Sequence, residues 1–202
     1  MLKNAFMSVI CLSVALCAST AFAEINVSAV DGKIEVMSAD GKVILDEGNP
    51  TATVTDTNGA KVNVTYDAET KGVTVNAESG SSSVTVGIAK VYMEQGQQLG
   101  LTVDEGTRNL TITNTATGGG PIVVVFPDGS KVSIPAGAGI SLTMLADGNY
   151  DMKVTSGTVE YTDPEGNKRS LTGDSPVIIV QGFTTVPGWR TSEEETMSPA
   201  TP

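Results

Sequence analysis

The side chains able to do chemistry in this sequence are almost all carboxylates. Asp46 lies beside Glu47, Asp104 beside Glu105, and Glu193-Glu194-Glu195 form a run. Two carboxylates act as acid and base in glycoside hydrolysis when they flank a scissile bond at a set separation. Chain neighbours in acidic turns or in a polar tail are not held that way, and these read as solvated groups. Histidine is absent, so no side chain has an unperturbed pKa near neutrality. The cysteines are Cys11 and Cys17, and no Ser-x-x-Lys motif supplies a nucleophile that works without imidazole. Zinc and copper sites, which draw on imidazole and thiolate, are disfavoured. A cupin-like enzyme, suggested by the hairpin pattern around Pro127 to Gly137, fails on the same ground. The expectation is a protein that is not an enzyme, with no catalytic residue.

Calcium is the metal this composition permits, because it takes oxygen ligands. Asp56-Thr57-Asn58-Gly59 and Asp163-Pro164-Glu165-Gly166-Asn167 each resemble part of a calcium loop. Neither has the spaced ligands or the closing Glu of an EF-hand, so turn formation is the simpler account and no cofactor is expected. Sugar-binding β-domains present aromatic faces, and few aromatics are available after residue 23: Tyr66, Tyr92, Phe126, Tyr150, Tyr161, Phe183 and Trp189. Trp189 stands apart, following Val186-Pro187-Gly188 and preceding Arg190. Trp189 and Arg190 are candidates for a partner contact, or for capping an open end of the sheets.

The elements that would position such groups are strands. Met1 to Ala23 has the form of a signal peptide: Lys3, an apolar run from Ala5 to Ala18, and small residues at Ala21 and Ala23. The run is shorter than the roughly 20 residues that span a bilayer. Cleavage near Ala23 would leave a chain without cysteine in the periplasm or outside the cell, with no later membrane span. Neither cysteine follows a small residue, so lipidation is not expected. Acidic residues number 23 against 12 basic ones, which disfavours nucleic acid and anionic membranes as partners.

After Ala23, short runs of Val, Ile and Thr alternate with polar residues, as in Ile34/Val36, Val43/Leu45, Val62/Val64, Val73/Val75 and Val84/Val86. Asp31-Gly32, Asp40-Gly41, Asn58-Gly59, Asp128-Gly129, Asp147-Gly148 and Glu165-Gly166 separate them. These pairs suit two-residue hairpin loops in which both residues take positive φ. No helical periodicity persists for three turns. The reading is all-β: repeated β-hairpins forming a sandwich, roll or β-helix-like stack, with almost no helix outside the signal peptide. Three segments share a layout, Gly32/Gly41/Gly48, Gly120/Gly129/Gly137 and Gly157/Gly166/Gly173. They fit either one hairpin unit reused or convergent turns. Thr117 to Gly120 would divide an N-terminal β region, 24–116, from a C-terminal one, 117–189, or form a bulge within one sheet system. Residues 190–202 are acidic and Pro-containing, and a disordered tail is expected there.

Within the C-terminal region, Asp128-Gly129-Ser130-Lys131-Val132-Ser133-Ile134 followed by Ala136-Gly137-Ala138-Gly139-Ile140 resembles the "DGS-x-V-x-L, then small residues and Gly" run of FecR-like periplasmic domains. Gly157-Thr158-Val159-Glu160-Tyr161, with Leu171 and Gly173 downstream, is similar to that family's later strands, one residue short at its "L-x-x-G" turn. The resemblance covers about residues 120–180. It implies an exported β-domain that works by protein contact. FecR-type regulators also carry a cytoplasmic part and a membrane span, which this chain does not show, so signal relay to the cytoplasm is not implied. The functional expectation is a protein-binding or structural module of the cell envelope with a protein partner. The alternative is a calcium- or carbohydrate-dependent adhesion module.

Overall fold

The computed structural model describes residues 24–30, 32–104 and 107–182. The expected signal peptide, the C-terminal tail, Trp189 and Arg190 lie outside the described residues. The described chain holds strands and no helix, as its alternation requires. Strands β1 (Glu24–Val30), β2 (Lys33–Ser38) and β3 (Gly41–Leu45) enter one sheet. Strands β4 (Thr51–Thr55), β5 (Lys61–Asp67) and β6 (Gly72–Ser79) enter a second. From there the chain lays hairpins alternately in the two sheets. Strands β7 (Ser82–Val86) and β8 (Ala89–Met93) join the first, and β9 (Gln98–Asp104) and β10 (Asn109–Asn114) the second. Next come β11 (Ile122–Val125) and β12 (Lys131–Ile134) in the first, then β13 (Gly139–Met144) and β14 (Tyr150–Ser156) in the second. Strands β15 (Val159–Thr162) and β16 (Lys168–Leu171) extend the first sheet, and β17 (Ile178–Val180) the second.

The result is a nine-stranded sheet, β16-β15-β12-β11-β8-β7-β1-β2-β3, and an eight-stranded sheet, β17-β14-β13-β10-β9-β6-β5-β4. Every pairing is antiparallel except β1 with β7. Val and Ile suit these strands because branched side chains pack well on a pleated, half-buried surface. Alternate residues of both sheets meet in one apolar cluster that includes Ile25, Val36, Leu45, Val64, Val75, Leu99, Ile112, Ile134, Ile140 and Leu142. The three glycine-patterned segments become hairpins β2–β3, β11–β12 and β15–β16, all in the nine-stranded sheet. Residues 117–120 carry the chain from β10 in one sheet to β11 in the other, and the pairs β8/β11 and β10/β13 bridge that crossing.

From β7 onward the hairpin turns gather at one end of the sandwich and the crossings between sheets at the other. Buried amides pin the crossings. Gln97 donates from Nε2 to the carbonyls of Gly120, 3.0 Å, and Pro121, 3.1 Å, while its Oε1 accepts from the Glu94 N–H at 2.7 Å. Asn114, fully buried, donates to the Ile134 carbonyl at 2.9 Å and accepts from the Ala116 N–H at 3.2 Å. Each satisfies backbone groups that a crossing strand leaves unpaired inside the protein.

At Asp31-Gly32 the pairing of Val30 with Lys33 leaves the expected two-residue loop, whereas four other turns differ from expectation in type. All six expected glycines have positive φ, but the described residues before them do not: Lys71 and Arg108 are the non-glycine residues with positive φ among those described. At Asp56–Ala60, Phe126–Ser130, Leu145–Asn149 and Asp163–Asn167 the glycine N–H donates to the first carbonyl, and the first N–H donates to the last carbonyl. This is a type I turn closed by a left-handed glycine. Holding an L-residue left-handed costs about 1–2 kcal/mol, so the chain confines that conformation to glycine. Turn carboxylates then hold the loop: Asp56 Oδ1 accepts from the N–H groups of Asn58 and Ala60 at 2.8 and 2.9 Å, and Asp163 Oδ1 from Asn167 N–H at 2.8 Å.

Two predictions follow from this packing. A Cβ on Gly139 would lie 2.8 Å from Thr113 Oγ1, 3.0 Å from Thr155 Oγ1 and 3.1 Å from the Ile112 carbonyl. Gly139→Ala should therefore destabilise by about 1–3 kcal/mol in urea titration. The second concerns acid. Three exposed carboxyls titrate below the usual range: Asp46 through Lys33 and the Asn49 N–H, Asp67 through Thr70, Asp163 through Asn167. A folded-state pKa below the unfolded one gives stability that is present above the unfolded value and lost as pH falls through the folded one. The melting temperature should decline below about pH 4, and the combined variant D46N/D67N/D163N should decline less. An equal decline in both proteins would remove these carboxylates as its cause.

Candidate functional site

The carboxylates singled out above are structural or lie apart. Asp46 accepts from Lys33 Nζ at 3.2 Å and from the N–H groups of Gly48 and Asn49, each at 3.0 Å, closing the turn between β3 and β4. Asp104 accepts from the Thr107 N–H at 3.2 Å; Glu105 and Glu193 to Glu195 lie outside the described residues. In the two calcium-like loops, the Asp56 and Asp163 oxygens accept hydrogen bonds from their own turns, leaving Asp56 Oδ2 buried without a partner. Among the described residues no three acidic side chains gather as a metal would need.

What the fold does build is a cleft at the turn end. The register of β1 with β7 covers only Glu24 to Asn26, because β7 turns away at Gly87. Residues Ser28 to Val30 are thus hydrogen-bonded as a strand to β2 alone. Beside this open backbone edge lies a cleft of about 460 Å³. One wall is β1 with the β7–β8 turn, Val86 to Ile88; the other is the end of the second sheet, where Val103, Leu110, Met144 and Tyr150 line it. Its lining is mostly apolar. Val30 and Met37, both on the cleft, are 44% and 46% exposed, an unusual state for large apolar side chains grouped together. Partial burial raises the Tyr150 pKa.

The rim is basic. Arg108 and Lys42 line this cleft, Lys42 pairing with Glu35 across the hairpin. An adjoining hollow of about 530 Å³, sharing Ala29 and Val103, is lined by Lys33 and Lys71 as well as Tyr66. Lys33 is paired with Asp46 as Lys42 is with Glu35, so two of the four cations around these hollows are already matched by carboxylates. Sequence reading missed the cleft. The available signal was Met37, an apolar residue out of phase with Ile34 and Val36.

Known proteins add little. No family model matches the chain, and no curated protein does. Among solved structures, the TCP10c domain of Drosophila melanogaster Sas-4 aligns at 13% identity over 75% of this chain and 99% of that one, with a TM-score of 0.18. The TCP10 domain of Danio rerio CPAP aligns at 16% over 78% and 99%, with a TM-score of 0.16. The same domain in complex with a STIL peptide aligns at 18% over 76% and 96%, with a TM-score of 0.13. At such TM-scores these likenesses carry no argument. The geometry does make one expectation testable: because no three acidic side chains gather among the described residues, adding calcium and then chelating it should leave the melting temperature unchanged.

Proposed function

We propose that this chain is an exported, non-enzymatic β module of the cell envelope, one that binds a protein partner by taking an extended apolar segment into the cleft beside β1. The observation that carries this reading is the pairing of an open backbone edge at Ser28 to Val30 with an apolar wall from the opposite sheet. Strand addition works that way: main-chain hydrogen bonds supply affinity, and pockets for alternate side chains supply selectivity. Export rests on the form of residues 1–23, and the FecR-like pattern of residues 120–180 agrees with a module that works by protein contact. Among the described residues no helix is long and apolar enough to cross a membrane.

A photo-crosslinking side chain at Met37 tests the contact. In envelope extract it should trap one protein species, and the same group at Glu78, on β6, should not. Equal labelling from both positions, alongside binding on a glycan array, would replace the protein partner with a sugar. N-terminal sequencing of exported protein should begin at Glu24.

A further inference from the structure

The two outer faces of the sandwich differ in kind. On the nine-stranded sheet, outward side chains are laced by cross-strand ion pairs, Lys42 with Glu35, Lys90 with Glu24 and Lys168 with Glu160. On the eight-stranded sheet, the strands from β4 to β13 bury residues such as Val54, Val64, Val75, Leu101, Ile112 and Ile140, and the residues alternating with these face outward. Lys61 and Glu78 stand at one end of those strands, Asp67 and Asp104 at the other. Between these ends no outward side chain is charged or aromatic, in a chain of net charge −11.

Register brings the outward residues into rows. A central row crosses the sheet through Thr51, Thr65, Thr74, Gly100, Thr113 and Gly139. On one side of it run Thr53, Asn63, Asn76 and Gln98, and on the other Thr102, Thr111 and Ser141. A Cβ on Gly100 would lie 2.8 Å from Thr115 Cγ2, and one on Gly139 would lie 2.8 Å from Thr113 Oγ1 and 3.0 Å from Thr155 Oγ1. Threonines thus lean over both glycines, and nothing on the central row stands higher than a threonine. The hydroxyls of Thr74, Thr102, Thr111, Thr113 and Ser141 have no hydrogen-bond partner among the described residues.

We infer that this face is a second binding site, one that takes an uncharged polysaccharide chain lying across the strands. A neutral face gives no advantage to nucleic acid or another polyanion. Hydroxyls and amides that both donate and accept match the hydroxyls of a sugar. Threonine methyls, held stiffly by branching at Cβ, offer ring C–H groups the apolar contact that aromatic platforms supply in other sugar-binding proteins. Strands follow one another every ~4.8 Å, about the length of one sugar ring, so the row from β4 to β13 spans about 24 Å and several rings. Sheet twist favours a flexible chain over the flat face of a crystal such as ice. The site is separate from the cleft beside β1 and does not depend on it.

Native electrophoresis in gels cast with dextran, hydroxyethyl cellulose or galactomannan reads the binding. The full chain should be retarded in at least one of them, relative to a gel without polymer, and not in a gel cast with alginate. Thr113→Lys and Thr74→Lys each place a long side chain on the central row and should abolish retardation. Ser133→Lys, facing outward on β12 of the other sheet, should be retarded as the parent is. Thr113→Val keeps the branched shape and removes one hydroxyl; it should weaken retardation severalfold without lowering the melting temperature, and it serves if the lysine variants do not fold. Free mobility in all three neutral gels, equal retardation of Thr113→Lys and Ser133→Lys, or equal retardation in alginate would each overturn the inference. So would a dimer in light scattering that Thr113→Lys dissociates, which assigns the face to a second copy, or reshaping of ice crystals without sugar binding. Crosslinking from Met37 reads the cleft alone and should persist in Thr113→Lys, so failure of one site leaves the other standing.

Discussion

Everything in this structure depends on a strand having two faces and only one of them apolar. A hairpin of alternating Val or Ile and polar residues cannot bury its apolar face alone, so it needs a second sheet about 10 Å away. The chain meets that need by laying each new hairpin opposite the last. A four-strand unit begins at Ser82 and again at Ile122, and part of a third begins at Val159. Each unit adds a layer to both sheets and lengthens one continuous core.

This manner of building sets costs at the two ends. At the crossing end, backbone must pass through the core's rim, and Gln97 and Asn114 take up the groups that the sheets cannot. At the turn end, tight loops leave the sheets open to water, and most of the opening is closed by buried side chains such as Phe126. The closure lapses beside β1. There the one parallel pairing, with β7, ends after three residues, and the last part of β1 projects beyond the hairpin that should cover it. An antiparallel neighbour of equal length would have left neither the edge nor the cleft.

Much of the fold was legible because period-two alternation and glycine-marked turns report local preference, and nothing later overrode it. Ile34, Val36, Val62, Val64, Val73, Val75, Val84 and Val86 all face the core. At Asn58-Gly59, Asp128-Gly129, Asp147-Gly148 and Glu165-Gly166 the turn type was misjudged because such pairs satisfy two loop geometries, and the choice fell to the hydrogen bonds between residues four apart. The cleft was not legible at all. Val30, Met37, Leu110, Met144 and Tyr150 are far apart in sequence, and each alone reads as an ordinary strand residue.

Composition and pattern thus determined the class of this protein by themselves. Period-two alternation from one glycine-marked turn to the next leaves only sheet among the described residues. Tertiary structure decided which strand neighbours which, since strand order is a property of pairings distant in sequence. It decided as well that β1 would stop short of full pairing with β7, so that an apolar wall of the second sheet faces an open backbone edge.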